Sequence, residues 1–273
     1  MGDASRFLPV MVDAARKAGE GLQADFRQLS ALEVRTKAGP SDLVSIADEN
    51  AERICRSILS ASEPDFQFMG EESGGPDTAA DGLVWIVDPL DGTTNFLYGN
   101  PLWGVNVALA RDGEVIAAVT FIPELNELYT AALGGGAHLN KAAISVSARS
   151  DISESLLSCG MPFAGKPFQA EFVREMEMLA PKVAGIRRTG ACAVDMAWVA
   201  SGRWDAYWER YTNAWDMAPG VLLVQEAGGR VTNVRGQTLD IFANNVCVSN
   251  GHIHSQIINI LNKATQNEEA SQC

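Results

Sequence analysis

Apolar positions near the start of the chain recur every three to four residues: Phe7, Leu8, Met11, Ala14, Ala15, Ala18, Leu22, Phe26 and Leu29. That spacing predicts a long amphipathic helix over residues 5–29. A short strand at 32–35 leads into a loop, Thr36-Lys37-Ala38-Gly39-Pro40-Ser41-Asp42. From Asp42 the chain enters a second helix, with Ala47, Ala51, Ile54 and Ile58 on one face and Asp48 near its start. Gln67-Phe68-Met69 reads as a strand that runs into Gly70-Glu71-Glu72-Ser73-Gly74-Gly75, so Glu71 stands at a strand end. The unbroken apolar run from Leu83 to Val87 predicts a fully buried strand.

A β-rich section follows. Positions 105–109 alternate, Arg111-Asp112-Gly113 is a hairpin turn, 115–122 pairs back, and 128–132 continues the meander to the bend at Gly134-Gly135-Gly136. Near residue 150 the texture changes to strands alternating with helices. Strands are expected at 156–159, 185–187, 205–209 and 246–249, and helices near 168–179, 193–200, 215–227 and 253–261. Pro219 is tolerable only if its helix begins close to Trp215, which puts Asp216 in the first turn. The expected class is layered α/β in two lobes, residues 1–150 and 151–264, with a frayed tail at 265–273.

The segment with the densest chemistry is Asp88-Pro89-Leu90-Asp91-Gly92-Thr93-Thr94-Asn95-Phe96. A buried strand that ends in Asp and reaches a second Asp three residues later puts two carboxylates at one sheet edge. Gly92 permits a tight turn, and Thr93 and Thr94 can open a short helix whose free N–H groups face the same place. A divalent cation and a phosphate can meet there. Alone, an Asp-x-x-Asp-Gly stretch is equally a plain strand and turn.

Bulk properties narrow the classes. The 273 residues carry a formal charge of −13, with 47% hydrophobic and 20% charged residues. That acidity argues against a nucleic-acid groove, and an acidic protein that handles an anionic substrate needs cations as intermediaries. No apolar run reaches membrane-spanning length and no basic-then-apolar leader opens the chain, so a cytoplasmic location is expected. Cys55, Cys159, Cys192, Cys247 and Cys273 are scattered, odd in number and never spaced as C-x-x-C, which suits reduced thiols.

Glu71, Asp88, Asp91 and Asp216 each fall at a strand end or helix start. Four converging carboxylates repel one another strongly without a cation. The donors are all oxygen and none of the three histidines lies in these motifs, so Mg²⁺ or Mn²⁺ fits better than zinc. Four carboxylates and a phosphate dianion sum to about −6, so two divalent ions leave room for a third, weaker one. Other phosphatase chemistries lack their motifs. No cysteine has an Arg six positions on, no Asp-x-Asp supplies an aspartyl nucleophile, and no G-x-x-x-x-G-K-[ST] loop is present. A water activated by the cations is the remaining nucleophile.

Gly70-Glu71-Glu72-Ser73, the 88–96 motif, Trp215-Asp216-Met217-Ala218 and Glu226-Ala227-Gly228-Gly229 together resemble the inositol monophosphatase family, from the first helix to about residue 262. The resemblance implies an αβαβα sandwich, Mg²⁺-dependent hydrolysis of inositol monophosphate or a similar polyol phosphate, lithium sensitivity and a homodimer. By position it assigns Glu71, Asp88 and the Leu90 carbonyl to a first metal, and Asp88, Asp91 and Asp216 to a second. Glu71 with Thr93 would orient and deprotonate the water, and Asp48 would accept from the Thr93 hydroxyl. N–H groups of Gly92 and Thr93 would hold the phosphate. Glu209 with Asp91 would contact the alcohol, Cys192 would sit beside it, and Lys37 would lie near the metals. Plain readings stand beside these: Asp48 as a first-turn acid, Glu209 as an edge-strand charge, Lys37 as a solvated loop cation.

Departures from the family pattern fall in the alcohol-binding part. Ala191 stands where relatives often have Ser or Thr, Tyr98 and Leu102 replace histidines, and Pro219 replaces a small residue. Thr94-Asn95 favours the inositol branch over histidinol-phosphate and nucleotide phosphatases. Histidinol phosphate and fructose 1,6-bisphosphate remain rival substrates. A partner of the transcription machinery with vestigial activity is the rival of another class.

Overall fold

Where each predicted segment settles depends on what can cover its apolar face. A computed structural model describes residues 4–32, 34–36, 43–76, 82–163 and 166–271. Helix α1 (Leu8–Phe26) follows a 3₁₀ turn and carries Pro9 in its first turn, where a missing N–H costs little. Strands β1 (Val34–Thr36) and β2 (Leu43–Ser45) pair antiparallel, so the residues expected to enter a helix from Asp42 are instead a strand as far as Ser45. Helix α2 (Ile46–Ser62) begins only there, because Ser45 and Asp48 form a reciprocal capping box.

The first large sheet runs in chain order: β3 (Gln67–Gly70), β4 (Leu83–Asp91), β5 (Gly104–Arg111), β6 (Glu114–Ile122), β7 (Glu127–Ala132), β8 (Ala137–Leu139) and β9 (Ala142–Ala143). Only β3 and β4 are parallel; the rest is an antiparallel meander. Asp112 and Gly113, both at positive φ, close the β5–β6 hairpin as the Asp-Gly pair predicts. Short helix α3 (Thr93–Leu97) follows β4.

The second sheet has the order β11 (Gly185–Arg187), β10 (Leu156–Cys159), β12 (Ala206–Arg210), β14 (Asn245–Ser249) and β13 (Arg230–Thr232). Its helices are α4 (Gln169–Leu179), α5 (Cys192–Ala200), α6 (Ala214–Glu226) and α7 (His254–Ser271). Helix α7 takes in residues through Ser271 that were expected to form a frayed tail. Between Ala264 and Ser271 there is polarity but no Gly or Pro to stop a helix.

The layers stack as α1/α2, first sheet, α5/α6, second sheet, α4/α7, which is the αβαβα arrangement. Strand β5 therefore has helices on both faces, and Gly104 to Ala110 are all buried although the sequence alternates over 105–109. Gly220 lets α6 approach α5, since a Cβ there would lie 2.6 Å from the Cβ of Met196. The chain passes from the first sheet to the second between Ala143 and Leu156. The largest apolar cluster spans both sheets, joining Val84, Ile86 and Ala118 to Met196, Leu222 and Val248.

Candidate active site

The site begins with an irregularity in β4. Asp88 pairs with Asn106 of β5, but Asp91 pairs with Gly104, so three steps along β4 match two along β5. The extra residue falls at Pro89-Leu90, where Pro89 has no N–H to give the ladder. In a regular strand, positions three apart face opposite sides; the bulge restores Asp88 and Asp91 to the same side. The chain was expected to leave the strand after Asp88, whereas β4 continues through the bulge to Asp91. The Leu90 N–H donates to Asp88 Oδ1 at 3.0 Å, which fixes that carboxylate locally.

Glu71 arrives from the neighbouring strand. Gly70 pairs with Val87 in the parallel β3–β4 register, and the Glu71 N–H donates to the Val87 carbonyl at 3.2 Å. Buried Glu52 of α2 supports this turn by accepting from the Glu72 N–H at 2.7 Å. A Cβ at Gly70 would press on the Glu52 carboxylate, so a larger residue there would displace that side chain from the Glu72 N–H.

Asp216 is the third residue of α6, and its Oδ2 accepts from the Asn213 N–H at 2.7 Å and the Thr212 hydroxyl at 3.0 Å. Its carbonyl accepts from Asn106 Nδ2 at 3.2 Å, and Asn106 is held by Thr120 at 2.7 Å, which ties the start of α6 to the first sheet. Asp91 Oδ2 accepts a very short hydrogen bond from the Ala193 N–H at the start of α5. Both helices thus present their first turns to the bulge.

Asp88 stands in hydrogen-bonding reach of both Glu71 and Asp216. Burial, then the charges of Glu71, Asp91 and Asp216, holds the Asp88 carboxyl well above the usual range. Asp91 is raised likewise by burial and Asp216, against a pull downward from the Ala193 amide. Burial also raises Asp216, offset in part by its Asn213 and Thr212 donors. Carboxylates in contact must share a proton or a cation. The donor set has the oxygen-only chemistry of a hard-cation site. Among the described residues, however, no three Asp, Glu, His or Cys side chains are gathered in the arrangement that an ion needs.

Beside them, the Thr93 hydroxyl lies 3.0 Å from Asp48 Oδ1 and 3.1 Å from the Leu90 carbonyl. Asp48 Oδ2 accepts from the Ser45 N–H at 2.8 Å and the Ser45 hydroxyl at 2.6 Å, so the capping box of α2 also aims this carboxylate at Thr93. Burial raises the Asp48 carboxyl, and the Ser45 and Thr93 donors pull it back. Gly92 precedes α3 at φ +92°, with Ala191 so close that a Cβ would lie 3.1 Å from its methyl.

A cavity of about 200 Å³ opens from this cluster toward the second sheet, lined by Glu71, Asp91, Cys192, Tyr207, Glu209 and Asp216 among others. Glu209 lies against Gly160, accepts from the Tyr207 hydroxyl, and is raised to about 8, chiefly by burial. Cys192 opens α5, and burial keeps it a neutral thiol. Cys55, Cys159 and Cys247 are also buried and free. Lys37 and Cys273 lie outside the described residues.

Several supporting residues escaped the sequence reading: Ser45, Glu52, Asn106, Thr212 and Asn213. Two carry a readable signal, because Ser45-x-x-Asp48 and Asn213-x-x-Asp216 both have capping-box spacing. Lys166, Arg188 and Asp195 also line the cavity, without a motif to announce them.

Fold and site together define a five-layer α/β protein with a carboxylate-lined cleft between its sheets. The chain belongs to the inositol monophosphatase family, whose sequence profile matches residues 3–266. It is 43% identical over 257 residues to the inositol-1-monophosphatase of Caulobacter vibrioides, covering 93% of this chain and 100% of that one. It is 39% identical over 233 residues to the Nus factor SuhB of Pseudomonas aeruginosa, covering 84% and 86%. Among solved structures, the extragenic suppressor protein suhB from Bartonella henselae superposes with a TM-score of 0.89 at 41% identity, covering 94% of this chain and 98% of that one. Among the described residues no helix is long and apolar enough to cross a membrane.

Proposed function

We propose that this chain is a Mg²⁺-dependent phosphomonoesterase acting on inositol monophosphate or similar small polyol and sugar phosphates. The observation that carries the proposal is that Asp88 lies within hydrogen-bonding reach of both Glu71 and Asp216, with Asp91 on the same side of the bulge, beside a cavity that Glu71, Asp91 and Asp216 line. Glu71, Asp88 and the Leu90 carbonyl would hold one cation, and Asp88, Asp91 and Asp216 another, with a third site and Mn²⁺ substitution compatible with the charge. Bound there, divalent cations supply Lewis-acid stabilisation of phosphate charge and lower the pKa of water.

The chain's own groups do the rest. Ionised Asp48 can only accept, so it accepts the hydrogen bond of the Thr93 hydroxyl and leaves the Thr93 oxygen lone pairs to accept from a water that Glu71 deprotonates. Gly92 and Thr93 N–H groups bind phosphate oxygens. Asp91 and Glu209 accept from substrate hydroxyls, with Cys192 closing the wall. Lys37 would add a cation from its loop. Lithium inhibition, a homodimer and a cytoplasmic location complete the reading, supported by family membership.

The test is phosphate release from inositol 1-phosphate, histidinol phosphate and fructose 1,6-bisphosphate, with and without Mg²⁺. Turnover of inositol phosphate that vanishes in chelator supports the proposal. A histidinol phosphate kcat/KM about a hundredfold higher overturns the substrate assignment. Similarity to proteins named Nus factor SuhB favours a second role as a transcription partner. A stoichiometric complex with RNA polymerase, alongside negligible hydrolysis, would make that role the main one.

A further inference from the structure

Strand β12 sends alternate side chains to opposite faces. Trp208 and Arg210 turn to α4, where the Trp208 indole donates to Glu175 Oε2 at 2.9 Å and Arg210 Nε donates to Oε1 at 2.8 Å. Tyr207 and Glu209 share the other face, against the cavity that both line. There the Tyr207 hydroxyl donates a very short hydrogen bond to Glu209 Oε2. Tyr207 is only 1% exposed, and the Cys192 thiol at the start of α5 lies within hydrogen-bonding reach of its hydroxyl. Across the carboxyl stands Gly160, just after β10, where a Cβ would run into Glu209 Cδ and Oε1. With Arg210 committed to Glu175, Tyr207 is the one donor to the Glu209 carboxyl among the described residues. The carboxyl is held on one oxygen and confined on its other side by bare backbone.

We infer that Tyr207 is a positioning residue: by holding Oε2 of Glu209 it presents Oε1 to a hydroxyl of the substrate's alcohol, and so sets selectivity without touching the substrate. The inference rests on the phosphomonoesterase reading and concerns the same cleft. A glutamate at a cavity wall has several side-chain torsions to fix, whereas the Tyr207 ring is already locked by packing and can fix them for it. The donor also favours the charged carboxyl against the burial that opposes it, and a charged carboxylate is the stronger acceptor. A competing account makes the hydroxyl a buried group that merely needs an acceptor, which Glu209 happens to supply. On that account its removal weakens the fold and slows every substrate alike. A positioning hydroxyl matters only while Glu209 is present, and only for an alcohol with hydroxyls to offer.

The experiment is a double-mutant cycle of Tyr207→Phe and Glu209→Ala, read on inositol 1-phosphate and on p-nitrophenyl phosphate, whose leaving group carries no free hydroxyl. Tyr207→Phe keeps the ring and removes one oxygen. It should lower kcat/KM for inositol 1-phosphate about tenfold, mainly through KM, as the loss of one charge-assisted contact implies. Turnover of p-nitrophenyl phosphate should stay within about twofold of wild type. In the Glu209→Ala background the same substitution should change inositol 1-phosphate kinetics by less than about twofold. Gly160→Ala displaces the carboxyl from the opposite side and leaves Tyr207 in place, so it should reproduce the selective loss, and it carries the comparison should the phenylalanine variant not fold. A loss equal on the two substrates, or one that persists without Glu209, overturns the inference. Absence of phosphate release from both compounds by wild type would refute the enzymatic reading instead. Calorimetric titration with inositol 1-phosphate and with inorganic phosphate then still decides this one: weaker binding of the first alone by Tyr207→Phe supports it, and unchanged affinity for both overturns it.

Discussion

Replacing Asp48 by Asn tests the Thr93 arrangement more sharply than removing a metal-site acid. Asp48 Oδ2 faces two donors from Ser45, so the Asn carbonyl must take that side and its NH₂ must face Thr93. The hydrogen bond to Thr93 then reverses polarity, and the Thr93 proton turns to the Leu90 carbonyl at 3.1 Å. Stability changes little. Losing a charged cap costs about 1 kcal/mol, but burial already disfavours the ionised carboxyl, and the neutral amide escapes that penalty. Turnover should fall on the order of a hundredfold, the usual scale for a misdirected proton relay. Thr93→Val should cost about the same, because it removes the hydroxyl and keeps the shape. If the two groups act as a unit, the double variant is no slower than either single one. Initial rates on inositol 1-phosphate at saturating Mg²⁺, with urea unfolding of each variant, provide the full cycle. Losses that multiply, or Asp48→Asn retaining a third of wild-type rate, would refute the coupling.

Three further outcomes are expected. Asp91→Asn should lower kcat by about a thousandfold or more with the fold intact by circular dichroism, and retention of a tenth of the rate counts against its role. Glu209→Ala should change the ranking among alcohols more than hydrolysis of p-nitrophenyl phosphate; equal losses on every substrate refute its contact with the alcohol. Asp195, fully buried in the cavity wall, is raised to about 7 by burial, so the folded state favours its protonated form. The stability it contributes is present in acid and is lost as pH rises through about 7, by up to a few kcal/mol. Asp195→Asn should flatten that slope in urea unfolding between about pH 5 and pH 8, and an unchanged slope assigns it elsewhere.

Most elements were legible because their apolar runs are long and their stops are glycines or capping residues. Strand β10 and the order of helices after residue 150 follow directly from such punctuation. What periodicity could not reveal was coverage. Strand β5 alternates in sequence, yet helices from distant parts of the chain bury both its faces. Strand β2 was absorbed into α2 because three residues are too few for a period-two pattern; only its pairing with β1 defines it. The site divides the same way. Asp88, Asp91 and Asp216 stand out by motif, but the bulge that aligns the first two is a register event between strands. Likewise Arg188 and Lys166 carry no motif, and only packing brings them to one cavity.

The short bond from the Ala193 amide to Asp91, with the Asn106 link to the Asp216 carbonyl, has a consequence for biosynthesis. A polypeptide still being translated at residue 150 holds three of the four acids but lacks the Ala193 amide that seats Asp91, and Asp216 itself. The four acids come together only when the last third of the protein has docked, and a product terminated before residue 193 remains without both.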